Sequence, residues 1–199
     1  MMMQMLEAAG LVIHCDGRRA ADLDNPNGYF ELEATKRLKT DSAFLAQACG
    51  RVVKVVAPLL PHLPARYEYR VIFMERAIEE VLASQSAMLA RVGREVEVEG
   101  EDKSADESLS TQMADAFRQV SENVKSWLDG SNNVKTCFIE HRSVLASPLH
   151  TSRETLRFLH ESGGGGRDLR PVGDNFTDRE KMALRMAAVV DPDLYRQRL

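Results

Sequence analysis

Cysteine is scarce and scattered. Cys15, Cys49 and Cys137 are an odd number with wide spacings and no CxxC pair, so neither a disulfide framework nor a cysteine-based zinc site is indicated. A reducing cytoplasm suits such a chain. Long apolar runs are missing too: the most continuous stretch, Val52-Val53 and Val55-Val56-Ala57 around Lys54, falls far short of the roughly 20 residues that span a bilayer. The opening MMMQMLEAAG has no basic n-region and no long apolar core, so neither a membrane span nor export is expected. Positive charge is not in excess. Lys and Arg number 26 against 30 Asp and Glu, a formal net charge of −4, and no bulk field exists to hold a nucleic-acid backbone. The five histidines (His14, His62, His141, His150, His160) show no HxxxH spacing, which argues against a metal site. Ser143 and Ser147 lie near His141 without a GxSxG elbow, which argues against a hydrolase.

What is present is ordinary globular material: 199 residues, 44% hydrophobic and 28% charged, a length that fits one domain over 1–199. Residues 1–9 read as a helix closed by Gly10. Nothing ahead of Met1 caps it, and Met1, Met2, Met3, Met5 and Leu6 are too apolar for a fraying end. It reads as an internal helix, and the expectation is a preceding segment lost through a misplaced start or a true truncation; the alternative is a plain N-terminal helix.

Strand candidates follow at 11–15 (LVIHC), 51–57 (RVVKVVA, nearly continuous and expected to be covered on both faces), 67–74 (YEYRVIFM) and 134–140 (VKTCFIE). Helical character is expected over 31–48, 77–92, 109–128, 148–161 and from about 178, the last opened by a capping box, Thr177-x-x-Glu180. PLLPHLP reads as a stiff loop, 94–108 as a mobile acidic connection, and 162–176, with Gly163 to Gly166, as a hinge. Strands alternating with helices predict an α/β fold with a parallel sheet.

In such a sheet ligands bind beyond the C-terminal strand ends, so the residues leaving each strand come first. Arg76 leaves YEYRVIFM directly into a helix carrying Ser84, and its guanidinium can offer a bidentate fork to a phosphate. The alternative is a surface salt-bridge partner. Lys54 stands inside a β-branched run, where a buried ammonium needs an anion; the alternative is an edge position from which the amine snorkels to water.

These residues carry a resemblance. Arg76 and Ser84, eight positions apart in VIFMERAIEEVLASQSAML, resemble the segment with which P-loop sulfotransferases hold the 3′-phosphate of 3′-phosphoadenosine 5′-phosphosulfate (PAPS). Lys54 ahead of Pro58-Leu59-Leu60-Pro61 resembles the segment whose lysine lies near the transferring sulfonate. Asn25-Pro26-Asn27-Gly28-Tyr29-Phe30-Glu31 is similar to the NPxGYFE turn of bacterial sulfotransferase-like proteins, and 186–196 to their closing segment. With 133–148 the resemblance covers most of the chain.

It implies a three-layer P-loop NTPase-like fold, PAPS as co-substrate, no metal, and sulfonate transfer to a hydroxyl or amine of a small-molecule or glycan acceptor. Arg76 and Ser84 would be cofactor-binding and Lys54 catalytic, in a cytoplasmic enzyme without nucleic-acid or membrane partners. The chain departs from the family in three ways, one being that the late glycine-and-lysine segment that clamps the 3′-phosphate in animal enzymes has no counterpart. The first strand and the PxSGTS-type loop, which cradles the 5′-phosphosulfate ahead of the helix matching 1–9, are absent from the sequence. Val56 stands where animal cytosolic sulfotransferases carry a catalytic His, so no general base transfers; Glu31 and His62 could accept the acceptor's proton, the alternatives being a carboxylate in the first turn of its helix for Glu31 and an exposed Pro-rich loop for His62. The rival expectation is a truncated, inactive relative acting as a binding or interaction protein, in which exposed strand edges favour self-association into a homo-oligomer.

Overall fold

The β-branched and aromatic runs become the sheet. A computed structural model of the chain describes residues 1–22, 25–83, 103–161 and 176–192, with backbone alone for 103–111 and 176. In it β1 (Tyr69–Glu75) and β2 (Val134–Glu140) pair in parallel, with Tyr69 opposite Val134 and Glu75 opposite Glu140. Successive side chains point to opposite faces. Ile72, Met74, Cys137 and Ile139 therefore enter one core, while Tyr69, Val71, Phe73 and Val134 enter another.

Helices cover both faces. On the first lie α1 (Met2–Ala8), α5 (His141–Ala146), α6 (Pro148–His160) and α7 (Phe176–Ala188), which contribute Met5, Val144, Leu156 and Met186. On the second lie α4 (Lys103–Gly130), through Val124, Trp127 and Leu128, and a 3₁₀ helix (Ala57–His62), through Leu60. The protein is a mixed α/β structure around a parallel two-stranded sheet. Arg70 on β1 ties one face down. Its guanidinium donates to the carbonyls of Leu159 and Glu161, which end α6 and would otherwise lack partners.

Two helix details follow from the sequence. At the end of α1, Gly10 takes φ +87°, its N–H reaches the Glu7 carbonyl at 2.8 Å, and the Leu11 N–H reaches the Leu6 carbonyl at 3.1 Å. That double bond pattern is a Schellman closure, which favours glycine at the left-handed position. On α6 the buried face is polar in composition: Thr151, Ser152 and Thr155 are buried beside Leu156 and Leu159. Their hydroxyls are satisfied nearby, Ser152 on the Pro148 carbonyl at 2.7 Å, Thr155 on the Thr151 carbonyl at 2.8 Å and Thr151 on the Ser143 carbonyl at 3.3 Å.

Several expectations are corrected. Segments 11–15 and 51–57 meet in parallel at Ile13 and Val52, and among the described residues that bridge is their whole ladder. The second is not covered on both faces, since Val56 is 58% exposed. Pro58, which has no N–H to give a ladder, bends the chain at once into the 3₁₀ helix Ala57–His62, so PLLPHLP is largely helical rather than a loop. The expected helix 31–48 breaks into a 3₁₀ turn (Glu33–Arg37) and α2 (Leu45–Ala48). Between them Thr40 Oγ1 donates to the Arg37 carbonyl and Asp41 accepts from the Ala43 N–H, which offers the backbone an alternative to the helical ladder.

The acidic connection is shorter than expected, because 103–108 already belongs to α4. Helix α7 opens at Phe176, ahead of the expected capping box, and Glu180 pairs with Arg153 of α6 instead of turning back to the helix start. Of the expected helix 77–92, residues 78–83 are helical and form α3 here. Residues 84–92, with Gly163 to Gly166 and the closing residues from 193, lie outside the described residues.

Candidate functional site

Two charged clusters stand where strands end or interrupt. The first begins at the C-terminal edge of the sheet. Strands β1 and β2 finish in register at Glu75 and Glu140, so Arg76 leaves one strand and His141-Arg142 leave the other on the same edge. Beyond Arg76 the chain turns straight into α3, which carries Glu80. The Glu80 carboxylate has no solvent exposure; Arg76 Nε donates to its Oε2 at 3.1 Å and Arg142 Nε to its Oε1 at 2.5 Å. A buried carboxylate without such partners would be strongly disfavoured. Glu75 is balanced separately, in an ion pair with Lys125 of α4.

His141 sits inside this cluster. Burial holds its pKa below the ordinary 6.5, the Arg76 charge lowers it further, Glu80 opposes, and the Met1 α-amino group adds to the lowering. The neutral imidazole is therefore the favoured form beside Arg76 at neutral pH.

The second cluster surrounds Lys54. Its ammonium donates to the Tyr29 carbonyl at 3.0 Å and to Glu31 Oε1 at 3.4 Å. Arg19 reaches the same Glu31 oxygen at 3.3 Å and lays its guanidinium over the Tyr29 ring, 3.4 Å from the centroid. Tyr29 in turn donates its hydroxyl to Asp22 at 2.7 Å. Between the two residues that grip Lys54, Phe30 takes φ +53°, a left-handed conformation costing a non-glycine residue about 1–3 kcal/mol. The turn containing Asn25, Pro26 and Gly28 thus presents one carbonyl and one carboxylate to the lysine. Lys54 remains 39% exposed and Glu31 32%, so the pair faces solvent.

The Met1 α-amino pKa is lowered first by burial and then by the Lys54 charge, and the same amino group adds to the lowering at His141. Lys54 and Arg76 have different partners: Tyr29 and Glu31 for the lysine, Glu80 among those of the arginine.

Of the expected site residues, Lys54 has found both its anion and a route to water, and Arg76 heads a helix at the strand end. Ser84 lies outside the described residues. Glu31 is engaged by two cations, which suits a role in orienting Lys54. His62, at the exposed end of the 3₁₀ helix, stands in the Pro-rich segment expected of it. Glu80 and Arg142 are the residues that sequence reasoning passed over. Glu80 stands four positions after Arg76 on a helix, the spacing of a helical ion pair, and Arg142 follows a strand end by the same rule that singled out Arg76.

Among the described residues no group of three His, Cys, Asp or Glu side chains is arranged to hold a metal, and no helix is long and apolar enough to cross a membrane. No family model, no curated protein and no solved structure matches the chain.

Proposed function

We propose that this chain is a sulfotransferase-like domain of the P-loop class, with Arg76 and Ser84 binding the 3′-phosphate of PAPS and Lys54 neutralising charge on the transferring sulfonate. The observation that supports the reading best is the position of Arg76, which leaves β1 at its C-terminal end, together with Lys54 on the 51–57 segment, held by the Tyr29 carbonyl and Glu31. The reading gives each cation one end of a single nucleotide.

In the transfer, the acceptor oxygen or nitrogen bonds to sulfur as the bond between sulfur and the bridging phosphate oxygen breaks. Adenosine 3′,5′-bisphosphate leaves, and the acceptor proton passes to water. Catalysis of this kind is mostly positioning and charge neutralisation, as in phosphoryl transfer. Lys54 is held for it by the Tyr29 carbonyl and Glu31, which fix the ammonium while the side chain stays 39% exposed. The 199 residues contain no PxSGTS-type loop for the 5′-phosphosulfate. The reading assigns this chain the 3′-phosphate end and the lysine.

Calorimetric titration with adenosine 3′,5′-bisphosphate tests the assignment. The folded chain is expected to bind it, and Arg76→Ala to weaken binding at least tenfold, the loss of one charge-assisted pair of about 1.5–3 kcal/mol. Equal affinity in the Arg76→Ala chain would sink the assignment.

A further inference from the structure

We propose that Arg19 and Lys54 form one oxyanion site in which the Glu31 carboxylate stands as an internal occupant, and that an arriving sulfonate takes the site by displacing it. The inference rests on the reading above for the sulfonate as the ligand, and on the contacts around Lys54 for the rest.

Two cations from separate segments meet at a single atom. Arg19 reaches Glu31 Oε1 at 3.3 Å, and Lys54 reaches the same oxygen at 3.4 Å. Both also face the Tyr29 ring, the guanidinium 3.4 Å from its centroid and the ammonium 6.0 Å. The position of Oε1 is therefore one where an anionic oxygen receives two charged donors beside an aromatic face. A sulfonate can place one of its three oxygens there.

Three observations mark Glu31 as a displaceable occupant and not a permanent partner. The first is geometric. A lasting arginine–carboxylate pair is frequently bidentate, whereas Arg19 gives Glu31 one nitrogen, Nη1, and lays its plane on the Tyr29 ring. The second is access. The Arg19 side chain is 50% exposed, and Lys54 and Glu31 also face solvent, so the carboxylate can leave to water it already touches, and the contacts it gives up are those of weak, exposed pairs.

The third is the backbone. Phe30 holds φ +53° between the two groups that grip Lys54, and a non-glycine residue keeps that conformation only while its surroundings impose it. Departure of Glu31 loosens one of those grips. The other persists: the Tyr29 carbonyl, at 3.0 Å, is the shorter contact and keeps Lys54 in place during the exchange. An internal occupant of this kind lowers the apparent affinity for any oxyanion by the fraction of chains in which it has left the site. Removing it should therefore tighten binding.

The test is calorimetric titration with inorganic sulfate, which shares the sulfonate's central atom and oxygens, at an ionic strength held constant with chloride. Wild type is compared with Glu31→Gln, with Glu33→Gln, and with the Glu31→Gln chain carrying in addition Arg19→Ala or Lys54→Ala; thermal melts establish that each chain is folded. Glu33, two positions on and paired with Lys36, controls for the loss of one negative charge. Inorganic phosphate and adenosine 3′,5′-bisphosphate are titrated in parallel.

Glu31→Gln is expected to bind sulfate at least tenfold more tightly than wild type, and Glu33→Gln to stay within threefold. In the Glu31→Gln background, Arg19→Ala and Lys54→Ala are each expected to weaken sulfate at least tenfold.

Equal or weaker sulfate binding by a folded Glu31→Gln chain, or a gain no larger than that of Glu33→Gln, overturns the displaceable carboxylate. A gain that Arg19→Ala leaves intact overturns Arg19 as part of the site. A gain that Lys54→Ala leaves intact overturns the site altogether, along with the role of the lysine in the proposed function. Absence of sulfate binding to wild type and Glu31→Gln, with the bisphosphate still bound in an Arg76-dependent way, overturns this inference and leaves the nucleotide reading standing. The expected sulfate pattern with no bisphosphate binding does the reverse. Phosphate bound as tightly as sulfate overturns the sulfonate as the ligand.

Discussion

The Lys54 and Glu80 clusters are built from the same chemistry, cations on one carboxylate, yet they sit on opposite sides of a solvent boundary. Glu31 shares its oxygen between Lys54 and Arg19 while about a third of its side chain faces water. Glu80 shares its two oxygens between Arg76 and Arg142 with no exposure. Water screens the first pair and leaves it weak and adjustable; the second has little water to fall back on and must keep its partners.

The largest effect that would break this contrast concerns stability. Replacing Arg76 and Arg142 together by Ala leaves Glu80 buried without its two cations and is expected to cost about 3–5 kcal/mol in denaturant unfolding. A loss below about 1 kcal/mol would show that Glu80 relaxes to solvent and that the clusters do not differ in kind. A smaller effect comes through His141. Its folded-state pKa is depressed, so the unfolded chain takes up the proton first. The stability His141 contributes is fully present above about pH 6.5, and falls as pH drops below that value until the folded-state pKa is reached. Melting temperatures between pH 7.5 and 5 should fall more steeply for wild type than for His141→Gln; parallel curves would remove His141 from the buried cluster. The smallest effect sharpens the other side. Glu31→Ala should cost about 0.2–1 kcal/mol, and the cost should shrink in about 0.5 M salt, whereas that of the double arginine replacement should hold.

The same boundary explains what could be read from the sequence. Elements set by local pattern were legible: β2 lies where the VKTCFIE run places it, β1 within two residues of expectation, and α1 ends at Gly10 because only a short-range closure is involved. The break at Thr40 to Ser42 was not legible, because polar side chains there compete for the backbone while the apolar spacing still suggests a helix. Arg76 at a strand end and Lys54 in need of an anion were both visible. Their partners were not equally so: Glu80 lies one helical turn from Arg76, but Arg142 is 62 residues from Glu80 and Glu31 is 23 from Lys54. Spacing along a chain predicts contacts within one turn of helix or across one hairpin. It does not predict which strand end will face which, and here that depended on a parallel register between segments joined by a long crossover.

The inner face of α6 is hydroxylated, yet every hydroxyl on it is closed onto a nearby carbonyl. To its neighbours Thr155 therefore presents a methyl group and Ser152 little beyond its β-carbon, on a helix that packs against α7, whose Ala183 and Met186 are themselves fully buried. A hydropathy profile would score this stripe as solvent-facing while the packing treats it as dry. Descendant sequences can therefore exchange Ser and Thr for Ala at this seam with small changes in shape, so that polarity drifts here while the spacing of the two helices is conserved.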